Sequence, residues 1–388
     1  MTARILHVSD THLGKNQYGS KIRSSDYAKA FDTTIDIAIS ENVDAVIHTG
    51  DMFDSRTPDT GAVSSAFRTI GRLESEGIPF LGIVGNHERK WKNQWMDVLE
   101  TLSNVHRLNQ EPFEVNDEIA VYGFDSIRDS EWESMDFSLT ECSEDMVVCV
   151  CMHELFEEIV PPAKADRSLS HVIENLNLDP DIIPLGDYHA AVDQEVSDVP
   201  AFYAGATERT SSTTRDPTVR IIETEDGEVE GYGWRKVEGV RDNVPRPFTP
   251  VGVELTDSST REHVRRRVTE DVPEDEIEDS VVVVNLTGSS DSPITANGAY
   301  EVLENLNVKV PYVSDKRTSE VFEFDSEDIS DPTSIDIDKM IDEELEDEVS
   351  DSTKKIDKEI VRDLTVNKSD IRDIISRRFD LSNEGDQE

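Results

Sequence analysis

Five times in this chain an apolar run stops at residues able to hold a metal ion, and that recurrence limits the fold more than any other feature. Ile5-Leu6-His7-Val8-Ser9 runs into Asp10, Thr11 and His12, which places a carboxylate and an imidazole two residues apart. Val46 to Thr49 runs into Gly50 and Asp51, and Phe80 to Val84 into Gly85, Asn86, His87 and Glu88. Val147 to Met152 ends at His153, and Ile182 to Leu185 runs into Gly186, Asp187, Tyr188 and His189. Loops that follow the carboxyl ends of strands are where open α/β sheets gather their ligands.

The intervening segments supply the helices of such a fold. Tyr27 to Ser40 carries Ala30, Phe31, Thr34, Ile35, Ala38 and Ile39 at helical spacing before a strand at Val43 to Thr49. Gly61 to Glu76, with Phe67, Ile70 and Leu73 inward, precedes a strand at Ile78 to Val84, so the alternation reads as βαβ units. From Ile119 the texture changes to strands, at Ile119 to Phe124, Met146 to Met152, Ile182 to Leu185, Ala201 to Ala204, Val219 to Thr224 and Gly231 to Val237. A second sheet facing the first fits that order. The expectation is an α/β, two-sheet αββα sandwich over residues 1–240.

Val240 to Pro250, with three prolines and two arginines, reads as a linker. Residues 251–324 then have their own α+β pattern, a small capping domain with helices at Thr260 to Glu270 and Ala296 to Leu306. Residues 325–350 are acidic enough to form an extended linker. Residues 351–380 hold two amphipathic stripes, Ile356, Ile360, Val361 and Leu364, then Ile371, Ile374, Ile375 and Phe379. A stretch through Trp91, Trp95, Val98, Leu99 and Leu102 has two readings, a helix burying a dimer face or one buried in the core.

With 84 acidic against 38 basic residues the formal charge is −46, which would ordinarily repel a nucleic acid. The excess is spread along the whole chain, as in proteins adapted to a salt-loaded cytoplasm, and at about 1 M salt the Debye length is only about 3 Å. The charge is therefore read as habitat. Cys142, Cys149 and Cys151 cannot form a disulfide framework, and a reduced interior is expected. No leader or membrane-spanning run is apparent, so a cytoplasmic protein is expected.

Asp10, His12, Asp51, Asn86, His153, Asp187 and His189, with His87 beside them, form a mixed carboxylate and imidazole set without thiolate, which suits manganese, iron or zinc. Seven ligands are too many for one ion. Two ions bridged by Asp51 account for them, and a metal pair is a common device for in-line displacement at phosphorus. His7 and His48 fall within strands and read as core histidines, as Cys149 and Cys151 read as core cysteines. His171 competes with His153 for a ligand role but falls inside a helix.

The segments Asp10-Thr11-His12-Leu13-Gly14, Gly50-Asp51, Gly85-Asn86-His87-Glu88, Met152-His153 and Gly186-Asp187-Tyr188-His189 resemble the calcineurin-like metallophosphoesterases. The His-Leu-Gly ending and the stretch Tyr203 to Thr210 resemble, more narrowly, the archaeal double-strand-break-repair nucleases of the meiotic recombination eleven and SbcD family. The resemblance implies one ion on Asp10, His12, Asp51 and His189, and a second on Asp51, Asn86, His153 and the Asp187 position. It implies that His87 protonates the leaving group. The family motif reads Gly-His-x-His where this chain has Asp187 in the first histidine's place; Glu88 replaces an Asp, and Asp54 a residue that is His in some archaeal relatives.

The resemblance further implies a manganese-dependent DNA exonuclease and endonuclease that binds two manganese ions, forms a homodimer and acts with an SMC-like coiled-coil ATPase through the C-terminal helices. Arg261, Arg265, Arg266 and Arg267 cluster on one capping-domain helix and could face DNA phosphates or pair with nearby acids. A phosphoesterase for small phosphodiesters or nucleotides, and an inactive scaffold on the same fold, are the alternatives.

Overall fold

The computed structural model describes residues 2–102, 104–161, 163–165, 167–211, 216–238 and 245–317. The acidic segment and the two C-terminal stripes expected over 325–380 lie outside the described residues.

The first half alternates strictly: β1 (Thr2–Val8), α1 (Lys21–Ser40), β2 (Ala45–Thr49), α2 (Thr60–Glu76), β3 (Phe80–Ile83), α3 (Trp95–Leu99) and β4 (Val105–Arg107). The parallel registers β1 to β2, β2 to β3 and β3 to β4 follow from these crossovers. Asp59 caps α2 by accepting from the Ala62 amide at 2.8 Å, and Gly77, in the left-handed region at φ 72°, ends it.

The second half supplies β5 (Phe113–Val115), β6 (Ile119–Phe124), α4 (Asp129–Trp132), β7 (Val147–His153), α5 (Leu169–Asn175), β8 (Ile183–Gly186), β9 (Val192–Val196) and β10 (Val199–Tyr203). They form a second six-stranded sheet in the order β5-β6-β7-β8-β10-β9.

The last two strands of this part, β11 (Thr218–Glu225) and β12 (Glu228–Lys236), correct the expectation that they extend the second sheet. They return to the first, giving the order β12-β11-β1-β2-β3-β4, with β11 antiparallel to β1. The reason is the open edge of β1: a parallel series growing from β1 through β4 leaves the other side of β1 unpaired, and unpaired backbone groups need partners.

Period-two alternation divides the apolar residues between three layers. On β1, Ile5 points between the sheets while Leu6 and Val8 point to the helices. The inter-sheet layer joins Ile5, Ile47, Leu81 and Ile83 to Val121, Cys149, Cys151 and Phe202. Outside it, Phe31, Ile35, Ile70 and Leu73 of α1 and α2 cover the first sheet, and Phe137, Phe156, Leu169 and Val172 cover the second. Cys149 and Cys151 are buried free thiols, as their alternation suggested.

A third, three-stranded parallel sheet, β13 (Phe248–Leu255), β14 (Val281–Gly288) and β15 (Val310–Asp315), carries α6 (Arg261–Asp271) and α7 (Ala296–Asn305) over a core of its own. The stretch read as a linker overlaps it, since β13 already begins at Phe248. The other face of this sheet rests on the turn before α1 and on its first residues: Phe248, Val281, Val283 and Val310 pack with Tyr18 and Ile22, and Tyr18 lies 4.3 Å from Tyr312 between ring centroids.

α3 is shorter than the apolar stretch from Trp91 to Leu102 suggested. Met96 and Leu99 are buried, and Trp95 and Leu102 pack on the first sheet's helix layer. Trp91 is 81% exposed, with the Arg128 guanidinium 5.1 Å from its ring.

Leu81 is wholly buried between the sheets, so its truncation leaves a cavity in the inter-sheet layer. Leu81→Ala should cost about 2–5 kcal/mol, read as a lower urea midpoint with an unchanged slope; a loss under about 1 kcal/mol would contradict this packing.

Candidate metal centre

The ligand-type residues meet where the two sheets converge at their strand ends. β1 and β2 continue past their last residues as a zipped pair of loops, with the Asp10 amide donating to the Gly50 carbonyl at 3.1 Å and the His12 amide to the Asp51 carbonyl at 3.0 Å. The loops are held by their backbone before any ion is considered.

That arrangement bends several functional residues into the left-handed region. Asp10 (φ 53°), His12 (φ 43°), Asp51 (φ 56°) and Asp187 (φ 88°) all have positive φ, which is uncommon for residues other than glycine and clusters at functional sites.

Two glycines allow the close approach. A Cβ on Gly85 would overlap the Asp51 carboxylate and backbone nitrogen, and one on Gly186 would meet the Thr49 carbonyl, with His153 Nδ1 and Ser9 Oγ each at 2.5 Å. Gly85 lets neighbouring strand ends of the first sheet close up, and Gly186 marks where the second sheet touches the first.

Asp51 is central and wholly buried. Its Oδ1 accepts from the His87 amide at 2.9 Å and lies 3.5 Å from His153 Nε2. Its Oδ2 lies 3.9 Å from both His12 Nε2 and His87 Nε2 and has no hydrogen-bond partner among the described residues. Around Asp51, His12 Nε2 is 3.0 Å from His189 Nε2, and His189 Nε2 is 3.7 Å from Asp10 Oδ1. On the other side Asn86 Nδ2 donates to Asp187 Oδ1 at 3.2 Å, and His153 Nε2 is 3.9 Å from that oxygen. The structure therefore gathers Asp10, His12, Asp51, Asn86, His87, His153, Asp187 and His189 in one place.

Ring orientations are set from behind. His153 Nδ1 sits 2.6 Å from the Thr49 carbonyl, which can only accept, so Nδ1 carries a proton and Nε2 is the nitrogen that faces Asp51. His153 Nε2 has no hydrogen-bond partner among the described residues. Asp10, Asp51 and His153 offer donor atoms within 4.8 Å of one another, as do Asp10, His12 and His189. Orphaned buried acceptors are costly, and ligand bonds of about 2.0–2.2 Å bring donor atoms to separations of this order. The donor set fits divalent cations.

Electrostatics agree. Burial raises the Asp10 and Asp187 carboxyls above the ordinary carboxylate range. Burial opposes charge on Asp51 too, but the His153 imidazole, followed by His12 and His87, holds that carboxyl below the usual range. His153 shows the reciprocal effect: burial works against its charge, and Asp51, Asp187 and Asp10 raise it well above an ordinary histidine. Burial, aided by His12, pushes His189 down to about 3, leaving it neutral.

Glu88 stands behind the ligand-type residues. Its buried carboxylate accepts from the Phe53 amide at 3.0 Å and the Gly85 amide at 3.3 Å, stapling the Asp51 loop to the Asn86 loop. Burial and then Asp51 raise it to about 7. Asp54 Oδ1 lies 3.3 Å from His12 Nδ1 and pairs with Lys15 at 2.5 Å. Thr210, whose Oγ1 is 3.1 Å from His189 Nδ1, was legible only as part of the stretch from Tyr203.

His7 and His48 are buried supports. His7 Nε2 bonds Thr49 Oγ1 at 2.8 Å and His48 Nε2 bonds Thr11 Oγ1 at 3.0 Å. His171 lies on α5, away from the cluster. The arginines of α6 stand apart: Arg261 pairs with Glu301 at 2.6 Å, Arg267 with Glu270 at 2.9 Å and Asp271 at 3.0 Å, and Arg266 with Glu270 at 3.9 Å. Among the described residues Arg265 has no ion-pair partner.

Comparison with known proteins matches residues 3–190 to the calcineurin-like phosphoesterase family. The DNA double-strand break repair protein Mre11 of Haloferax volcanii is 33% identical over 386 residues, which cover 97% of this chain and 81% of that protein. The chain belongs to the Mre11 family. Mre11 of Halobacterium salinarum is 31% identical over 383 residues, covering 97% of this chain and 93% of that protein. Mre11 of Methanosarcina mazei is 34% identical over 329 residues, covering 82% of this chain; the chain spans about half (50%) of that relative's length.

Gly85→Ala should abolish divalent-ion binding with little change in far-ultraviolet circular dichroism, because the added methyl strikes the Asp51 carboxylate. Undiminished ion binding would show that the loops do not need this contact.

Proposed function

We propose that this chain is a metal-dependent phosphodiester hydrolase, a DNA exonuclease and endonuclease that processes broken ends with two manganese ions. The observation that carries this reading is the buried Asp51, set between two groups of ligand-type side chains with one oxygen unpartnered. Asp10, His12, Asp51 and His189 would hold one ion, and Asp51, Asn86, His153 and Asp187 the other. Manganese suits this set of oxygen and nitrogen donors. When bound, such a pair supplies the Lewis acidity and activated water of in-line displacement at phosphorus.

His87 differs from the ligands in being exposed, 43% by side chain. Its Nδ1 lies 3.2 Å from the Asp54 carbonyl, so Nδ1 donates there and Nε2 faces the ion cluster. A protonated His87 would then hold its transferable proton at Nε2, where a leaving oxygen could take it. His87→Ala should keep both ions and slow cleavage by about 10²-fold or more, whereas Asp51→Ala should lose ions and activity together, both read by elemental analysis and cleavage of linear DNA in molar potassium chloride. Metal loss from His87→Ala would contradict the assignment.

Asp187 departs from the family motif, yet its carboxylate reaches both Asn86 and His153. Asp187→His is expected to bind two ions with an altered manganese dependence. If Asp187→Ala leaves ion content and rate unchanged, Asp187 is not a ligand.

The relatives named above are DNA double-strand break repair proteins, which favours DNA over a small phosphodiester as substrate. The ligand set argues against an inactive scaffold. Arg261, Arg265, Arg266 and Arg267 are proposed to meet DNA phosphates; exposed ion pairs are worth only about 0–1 kcal/mol, so exchanging a carboxylate for a phosphate costs little. A homodimer through the exposed Trp91 and Val98 belongs to the same reading. So does a cytoplasmic, salt-adapted setting, in line with the halophile relatives; no helix among the described residues is long and apolar enough to cross a membrane.

The partner is proposed to be an SMC-like coiled-coil ATPase, gripped by the stripes at Ile356 to Leu364 and Ile371 to Phe379. Stripes of that length, read as helices from their spacing, need an apolar surface to cover. Truncation before Asp351 should abolish co-purification with the ATPase while manganese-dependent cleavage of single-stranded DNA persists. A truncated protein that still binds at full stoichiometry would place the partner elsewhere.

A further inference from the structure

Arg23 occupies the first turn of α1 with its side chain wholly buried. A buried guanidinium is tolerated only when it is fully partnered, and its partners lead in two directions. Nε donates to Gln17 Oε1 at 2.8 Å, and Gln17 Nε2 donates to the Thr210 carbonyl at 2.8 Å. Nη2 donates to Glu208 Oε1 and the Arg209 carbonyl, each at 3.1 Å, so Arg23 grips three successive residues of one loop, directly or through Gln17. The hydroxyl of Thr210 then meets His189 Nδ1 at 3.1 Å.

In the other direction Nη1 donates to Asp26 Oδ2 at 2.8 Å. Asp26 is shared: Arg246 Nε reaches the same oxygen at 2.9 Å, and Arg246 Nη1 donates to the Asp279 carbonyl at 2.6 Å. Arg246 lies two residues before β13, and Asp279 two residues before β14. The Arg23 guanidinium also lies 5.8 Å from the ring centroid of Phe248, on the face of the third sheet that packs on Tyr18 and Ile22. A continuous chain of charged and amide groups, buried at Arg23, Gln17 and Asp26, thus runs from the base of the third sheet to the back of the His189 imidazole.

We propose that Arg23 is a positioning residue for His189, acting through Gln17 and Thr210, and that the shared Asp26 makes the ring's orientation depend on the seating of the third sheet. The inference rests on the reading of His189 as a metal ligand. If Nδ1 donates to Thr210 Oγ1, Nε2 is left as the lone-pair atom facing His12 and Asp10. Outer partners of this kind set the tautomer and aim of a ligating histidine, and their loss typically weakens binding about 10 to 100-fold. Two arginines on one carboxylate also explain why Asp26 is buried so near the sheet junction: each cation offsets the burial cost of the other pair.

The test is a titration of the full chain with manganese chloride in molar potassium chloride, free ion being followed by electron paramagnetic resonance. Arg23→Met, Gln17→Leu and Thr210→Val should each weaken one of two ions by about 10 to 100-fold, and it should be the ion that His189→Ala removes. Arg246→Met should weaken the same ion by a smaller factor. Nitrogen-15 spectra of the zinc-loaded protein should show the His189 Nδ1 resonance moved in Thr210→Val, a change that a merely structural role would not produce.

Unchanged affinity in both Gln17→Leu and Thr210→Val would overturn the proposal, as would equal weakening of both ions. Weakening by Gln17→Leu with none by Arg246→Met would overturn the link to the third sheet. If His189→Ala keeps both ions, the reading of the metal centre has failed instead, so the two failures are separable. Thr210 is only half-buried, so its variant keeps the test decisive even if a change at Arg23 prevents folding.

Discussion

One buried carboxylate organises this molecule. Asp51 lies at the end of a central strand of the first sheet, in a left-handed conformation, with charge that burial opposes and three histidines of different elements offset. Glycines on both sheets are stripped of side chains so that the strands can close around it, and a Cβ at either Gly85 or Gly186 would collide with the groups that hold the loops in place. The αββα sandwich can be regarded as a device for bringing strand ends from two sheets to that point. Its apolar layers set the distance between the sheets, and its loops supply the donors.

The same logic explains why so much of the polar interior lies behind the ligands. His153 is aimed by the Thr49 carbonyl, His189 by Thr210, and the Asp51 loop by Glu88. These groups touch ligands and backbone, and each narrows the freedom of a side chain that must present one particular atom. Strain in the backbone at Asp10, His12, Asp51 and Asp187 persists because the surrounding hydrogen bonds leave no alternative.

The strands and the residues at their ends were legible because apolar runs, glycine punctuation and ligand-type side chains coincide there; Ile119 to Phe124 matches β6 to the residue. The pairing of β11 and β12 was not legible, since alternation tells which face of a strand is buried but not which sheet it joins. Short strands such as β4 and β5 carry too few residues to show a period. The positive φ angles at non-glycine ligands leave no compositional trace. Nor does Arg23, because a buried arginine and a surface arginine on a helix look the same until its partners, from Gln17 to Glu208 and Arg209, are brought together by the fold. Trp91 misled in the opposite way, an aromatic beside a short helix that stays largely in solvent.

The central claim is that Asp51 joins two ions into one cluster. Electron paramagnetic resonance of the full chain loaded with manganese tests it directly. Two ions sharing a carboxylate should be magnetically coupled, giving a dinuclear spectrum at two ions per chain that reverts to isolated mononuclear signals in Asp51→Asn. A single ion per chain, or two ions whose spectra are uncoupled in the native protein, would contradict the account.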